Sequence, residues 1–152
     1  VTLFPSINEM NPLACYNTIT ALPSVLSQLD LSFAIQNSAL TRIASRVMRT
    51  VNQPNMRTLN SIVAQAVEAT TANMRTDGCL HNTLDELIGD LVPRRDIPLA
   101  TISYSPFVGA NDKFVPELAD LTEATFLQQN CLADVSLEQG VFSTCCMHFR
   151  GE

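Results

Sequence analysis

Apolar positions along this chain recur in two rhythms, one of strands and one of helices. Residues 1–4 form a short β-like run ended by Pro5, and a loop carrying Asn8, Asn11 and Pro12 follows. A helix is predicted from about Leu13. Pro23 should kink or close it, because proline lacks an N–H and its ring clashes with the preceding turn. The Leu, Phe and Ile content of residues 31–36 reads as a buried strand. Asn37 can cap the next helix, over residues 38–51, where Leu40, Ile43, Ala44, Val47 and Met48 recur at helical spacing. The turn Asn52-Gln53-Pro54 breaks that pattern.

The longest predicted helix covers residues 55–75. Met56, Leu59, Ile62, Val63, Ala66, Val67, Thr70 and Met74 recur at three- and four-residue intervals, the broad apolar face of a central helix. Thr76-Asp77-Gly78 should end it, with Gly78 suited to a left-handed C-terminal position. Thr83 starts a short helix, and Glu86 three residues on completes a capping-box pattern. Residues 97–104 read as a strand, 117–127 as a helix and 141–149 as a last strand. Helices alternate with strands, so the expected fold class is α/β with a long central helix. The sequence has no internal repeat and no low-complexity segment.

Composition narrows the function classes. A chain of 152 residues with 46% hydrophobic and 16% charged residues is long enough for one packed core. No stretch approaches the ~20 apolar residues of a membrane span. The net charge of −6, with Lys113 the only lysine and the arginines scattered, argues against nucleic acid as a partner. The chain opens at Val1 rather than at a methionine, an opening expected of a processed, excised or incomplete sequence.

The five cysteines, Cys15, Cys79, Cys131, Cys145 and Cys146, contain no C-x-x-C pair, and His81 and His148 are far apart in sequence. Metal-ligand spacing is therefore absent, and reduced thiols in an intracellular protein are the expected state. Cys145 or Cys146 with His148 pairs a nucleophile with a base, but the expected strand geometry is read as making them poor neighbours. Asp85 and Glu86 face different sides of a helix and form no shared-proton dyad. Arg94-Arg95 reads as a solvated turn, and Met48, Met56 and Met74 as packing residues.

Several of these pieces, in order, resemble tubulin. They are Tyr16-Asn17 opening a helix; Asn37 at a strand end; Pro54, Leu59 and Asn60 opening the long helix; and Met74-Arg75-Thr76-Asp77-Gly78. Leu91-Val92-Pro93, Pro98-Leu99-Ala100-Thr101, Cys145-Cys146 and Phe149-Arg150-Gly151 follow. The proline-leucine-alanine-threonine run, the cysteine pair and the acid at Glu86 make the likeness closer to α-tubulin than to β-tubulin. The resemblance implies a divergent, partial tubulin-like fold. Residues 1–75 would be the end of a nucleotide-binding domain including its central helix, and residues 76–152 the first part of an intermediate domain.

What the resemblance implies about chemistry is uneven. It makes GTP the expected cofactor, held only by an intact chain. The phosphate-binding glycine loop of the family lies upstream of the matched region, and the five glycines here, at 78, 89, 109, 140 and 151, are unclustered. This stretch gives no support for Mg²⁺. At the guanine end, Asn37 and Asn60 occupy positions that hydrogen-bond the base. Met56 replaces a stacking aromatic ring, and Ala14 replaces the acid that holds the ribose. Asn37 serves equally as a helix cap, and Asn60 as a solvated helix position. In α-tubulin the glutamate at the position of Glu86 reaches the nucleotide of the next subunit and helps activate the attacking water, a task a carboxylate suits. Glu86 also fits the bare capping box with Thr83.

Two functions follow as expectations. The first is a structural constituent of a cytoskeletal, microtubule-type filament in the cytoplasm, with tubulin-like subunits as partners and GTPase chemistry only in a complete protein. The alternative is a truncated, non-catalytic tubulin-like interaction subunit of a larger assembly. A freestanding enzyme ranks below both, since no complete catalytic set is legible.

Overall fold

A computed structural model describes residues 1–5, 11–48, 54–76, 83–107, 117–137 and 139–150. Three short strands, β1 (Thr2–Phe4), β2 (Ser32–Gln36) and β3 (Leu99–Thr101), form a parallel sheet in the order β1-β2-β3. Pairing puts Leu3 opposite Ile35 and Phe33 opposite Ala100. Parallel neighbours need long crossovers. Helix α1 (Pro12–Gln28) lies between β1 and β2 in the chain, and α2 (Asn37–Met48), α3 (Met56–Arg75) and α4 (Leu84–Leu91) between β2 and β3. Helix α5 (Leu118–Phe126) and a 3-10 turn (Gln128–Asn130) follow. The fold is α/β, as the alternating pattern predicts.

The core is the meeting of β2, α2 and α3. Ile35, Leu40, Ile43, Ala44, Leu59, Ile62 and Ala66 pack with Ile102 and Leu132, and Ile43, Ala44, Ala66 and Leu132 are wholly buried. The small alanines let the two helices approach closely, while the branched residues fill the space between them and the sheet. Central β2 keeps one polar residue inside, Ser32, whose hydroxyl meets that of Thr2 at 2.5 Å.

Side-chain caps mark two helix starts, at Asn11 in the expected loop and at Asn55 in the expected helix, whereas Asn37, the expected cap, is itself the first residue of α2. The Asn55 side chain accepts from Thr58 N at 2.9 Å, and Asn11 accepts from Leu13 N at 3.1 Å with Pro12 in the first turn. Pro23 does not close α1, which continues to Gln28. That helix buries no residue and exposes Leu13, Tyr16 and Ile19. The expected stop at Gly78, the break at residues 52–53 and the last residues of the helix predicted over 38–51 lie outside the described residues.

Two strand expectations are corrected. Residues 97–104 give a strand only at Leu99–Thr101, because Leu132 then enters beside it. Leu132 N donates to Ile102 O and Gln36 N donates to Leu132 O, each at 2.9 Å, and Ser103 bridges Cys131. Residues 141–149 carry no ladder at all. They are held by side chains instead, Thr144 Oγ1 donating to Leu91 O at 3.0 Å and Phe142 meeting Phe126 edge-on at 5.6 Å. Val141 stays almost wholly exposed. An apolar extended run takes strand form only when another backbone supplies its hydrogen bonds, and none of the described residues does so.

A polar seam anchors the 128–134 turn to α2. Arg42 bonds the Asp134 carboxylate and donates to Gln128 O at 3.1 Å and Cys131 O at 3.2 Å. Ser38 donates to Asp134, and Arg46 donates to Asn130 Oδ1. Gln36 closes the seam, its Nε2 donating to Pro5 O at 3.3 Å and its Oε1 accepting from Asp134 N at 2.5 Å. Buried Asn130 is satisfied from the other side, donating to Ala124 O at 2.6 Å.

Candidate functional site

In parallel sheets, ligands favour the carboxyl ends of the strands. Asn37 follows the last residue of β2 directly and stands at that edge, exposed. Its carbonyl accepts from Thr41 Oγ1 at 2.8 Å, an ordinary first-turn contact. Met56, 64% exposed, begins α3, and Asn60 is exposed one turn later. An interval of four residues puts Met56 and Asn60 on one helix face, away from the face that buries Leu59, Ile62 and Ala66. Among the described residues no hydrogen bond links Asn37 to that pair. Phosphates would need a concentration of backbone N–H groups, and no glycine-rich turn supplies one among the described residues.

Ala14 lies within the first turn of α1, half-buried, where a methyl group offers a ribose no acceptor. Glu86 sits in the first turn of α4, exposed, and its carboxylate is engaged locally. Oε2 accepts from Thr83 N at 2.9 Å while Thr83 Oγ1 accepts from Glu86 N at 3.3 Å, completing the capping box that the sequence predicts. Asp85 beside it adds negative charge at the helix N-terminus, where the macrodipole favours it. The adjoining loop, residues 77–82, lies outside the described residues.

A second constellation corrects the sequence reading. Cys146 Sγ lies 3.3 Å from His148 Nε2, and Asn73 Nδ2 lies 2.8 Å from His148 Nδ1. In an extended backbone residues two apart point to the same side, so Cys146 and His148 are neighbours while Cys145 turns away. That alternation was the available signal. Asn73 comes from α3, 75 residues away, and nothing in the sequence pairs it with the histidine. Burial first, then the Asp90 carboxylate and Cys145, push the Cys146 thiol up. The three side chains line an open trough of about 1270 Å³ between the C-terminal half of α3, α4, β3, α5 and residues 135–137 and 140–150.

Among the described residues, no group of three or more His, Cys, Asp or Glu side chains is arranged to hold a metal ion. Nor is any helix among them long and apolar enough to cross a membrane.

No family model matches the chain. It is similar to the tubulin alpha-1B chain of Physarum polycephalum, 28% identical over 139 residues, which cover 90% of this chain and 31% of that protein. The tubulin alpha-2B chain of the same organism is 29% identical over the same length and shares. The chain thus spans about a third of the length of these relatives. A match that runs through nearly all of the chain, together with an α/β fold built on a central helix, supports a tubulin-like relationship.

Proposed function

We propose that this chain is part of a structural subunit of a cytoskeletal filament of the microtubule type, assembling with tubulin-like partners in the cytoplasm. The observation that carries the reading is the match to α-tubulin chains through 90% of this sequence. Residues 1–75 are the end of a nucleotide-binding domain, closed by α3 as its central helix. Residues 76–152 begin an intermediate domain. In the complete protein GTP is bound with its guanine towards Asn37, Met56 and Asn60, and its phosphates are held by residues outside this stretch.

Glu86 is the catalytic residue of this proposal, acting on the nucleotide of the neighbouring subunit. Its exposure and its place at the start of α4 leave one carboxylate oxygen available to orient a water and take its proton. The test is GTP turnover in polymer carrying Glu86→Ala, against polymer carrying Thr83→Ala. Both variants break the same capping box, but only the first removes the carboxylate. A fall of about a hundredfold in phosphate release for Glu86→Ala alone is expected. Equal turnover in the two polymers would refute the catalytic role.

The engagement of Glu86 Oε2 by Thr83 N favours a second reading, in which Glu86 only caps α4 and the chain is a non-catalytic tubulin-like interaction subunit. That reading requires assembly with partners and no effect of Glu86→Ala on turnover.

A further inference from the structure

Along the sequence no lysine or arginine stands between Lys113 and Arg150, while Glu117, Asp120, Glu123, Asp134 and Glu138 fall within that stretch. Asp134 is paired with Arg42. Asp120 and Glu123 are exposed on α5, a helix that buries no residue and has no basic residue in its last turn. These charges lie beside an apolar surface. Spacings of three and four residues bring Ala119, Asp120, Glu123, Phe126 and Leu127 onto one side of α5 and its C-cap, and all five are exposed. The Phe126 ring meets Phe142 edge-on at 5.6 Å, which carries the surface across to the extended segment, where Val141 is almost wholly exposed.

We infer that the outer face of α5, continued by Phe142, is a docking surface for a basic amphipathic helix of a partner protein. Phe126 and Phe142 keep 39% and 53% of their surface exposed. With Leu127 and Val141 they leave on the order of 400 Å² of largely apolar area in water, the size at which an exposed patch marks an interaction site. Half-exposed aromatic rings are the anchors that dominate such contacts.

Charge selects the occupant. Apolar side chains along one side of the partner helix cover the two rings, the packing of a helix laid along an apolar strip. Lysines or arginines flanking that side meet Asp120 and Glu123 at the rim, where opposite charge speeds encounter and fixes register. The same carboxylates repel an anionic lipid surface and a nucleic acid. A second copy of this chain, with its own net charge of −6, would bring acid against acid.

The test titrates the full chain with a fluorescent helical peptide of leucine and lysine, about four turns long, by fluorescence anisotropy. A photoreactive leucine in the peptide then crosslinks it to the unmutated chain, and mass spectrometry maps the adducts. The expected Kd is about 10–100 μM, as for a small interface, with adducts on α5 and at residues 141–142. Phe142→Ser should weaken binding about thirtyfold, the loss of one aromatic anchor. Asp120→Lys together with Glu123→Lys should weaken it about tenfold in low salt and less in high salt. Both carboxylates are exposed, so this pair keeps the test decisive if Phe142→Ser disturbs the fold. A leucine–glutamate peptide of the same spacing should bind at least about thirtyfold more weakly. Adducts elsewhere on the chain would overturn the inference. So would unchanged affinity in the double charge reversal, or equal affinity for the two peptides.

Discussion

Ile43→Ala should be among the most damaging single truncations in this chain, and the same change at Ile19 should be nearly silent. Ile43 is wholly buried between α2, α3 and the sheet, whereas Ile19 on α1 is 69% exposed. Truncation removes three carbons. At ~0.8 kcal/mol per buried carbon the transfer loss at Ile43 is about 2.4 kcal/mol. If roughly half of the vacated ~80 Å³ stays empty, about 24 cal/mol per Å³ adds ~1 kcal/mol. The total, about 3.4 kcal/mol, is a large share of the ~8–20 kcal/mol available to a chain of this size. At an m-value near ~2 kcal/mol/M, the urea midpoint should fall by about 1.7 M with the slope unchanged. Ile19→Ala should stay within about 0.5 kcal/mol of the parent. Urea titrations followed by far-UV circular dichroism measure both. A loss below ~1 kcal/mol at Ile43, or equal losses at the two sites, would refute the placement of the core at the α2–α3–sheet junction.

Three further outcomes are expected. Thr83→Ala removes the cap of α4 and should cost about 1 kcal/mol, read as a lower urea midpoint together with faster amide exchange in the first turn of α4. Asp134→Ala frees Arg42 and Ser38 from their shared carboxylate. Because the Arg42 and Asp134 side chains keep 37% and 25% of their exposure, the loss should be only about 1–2 kcal/mol and smaller in high salt. Burial pushes the Cys131 thiol above its ordinary 9.0, against the lowering pulls of Ala133, Thr101 and Arg42. The folded chain therefore keeps a proton that the unfolded chain sheds, and stability should decline as pH rises through 9. Cys131→Ala should flatten that part of the stability–pH curve, and an unchanged slope would contradict the assignment.

Local chemistry made much of the fold legible. The Thr83 cap and the apolar spacing of residues 55–75 act within a few residues, so the sequence carries them directly. β2 was readable because Phe33 and Ile35 make a short apolar run whichever strands flank it. The end of β3 was not, since it depends on Leu132 inserting between Gln36 and Ile102, a contact made across the chain. Residues 141–149 misled for the related reason that apolar content records the wish for burial and not the presence of a pairing strand.

The candidate residues divide in the same way. The Thr83–Glu86 box is a three-residue pattern and was visible. The Cys146–His148 contact was open to the rule of alternation but was discounted. Asn73, supplied by a distant helix, had no local signal. Asn37, Met56 and Asn60 came into view only through resemblance, because an exposed asparagine and an exposed methionine carry no pattern of their own.

Repeated assembly tests the tubulin-like filament role most directly. The native polypeptide carrying this sequence is mixed with tubulin, polymer is formed with GTP and pelleted, then dissolved and formed again, with the polypeptide followed by mass spectrometry. A filament subunit enters the pellet with each assembly and returns to the supernatant with each disassembly, in constant ratio to the polymer. A polypeptide that stays in the supernatant through every cycle would contradict that role.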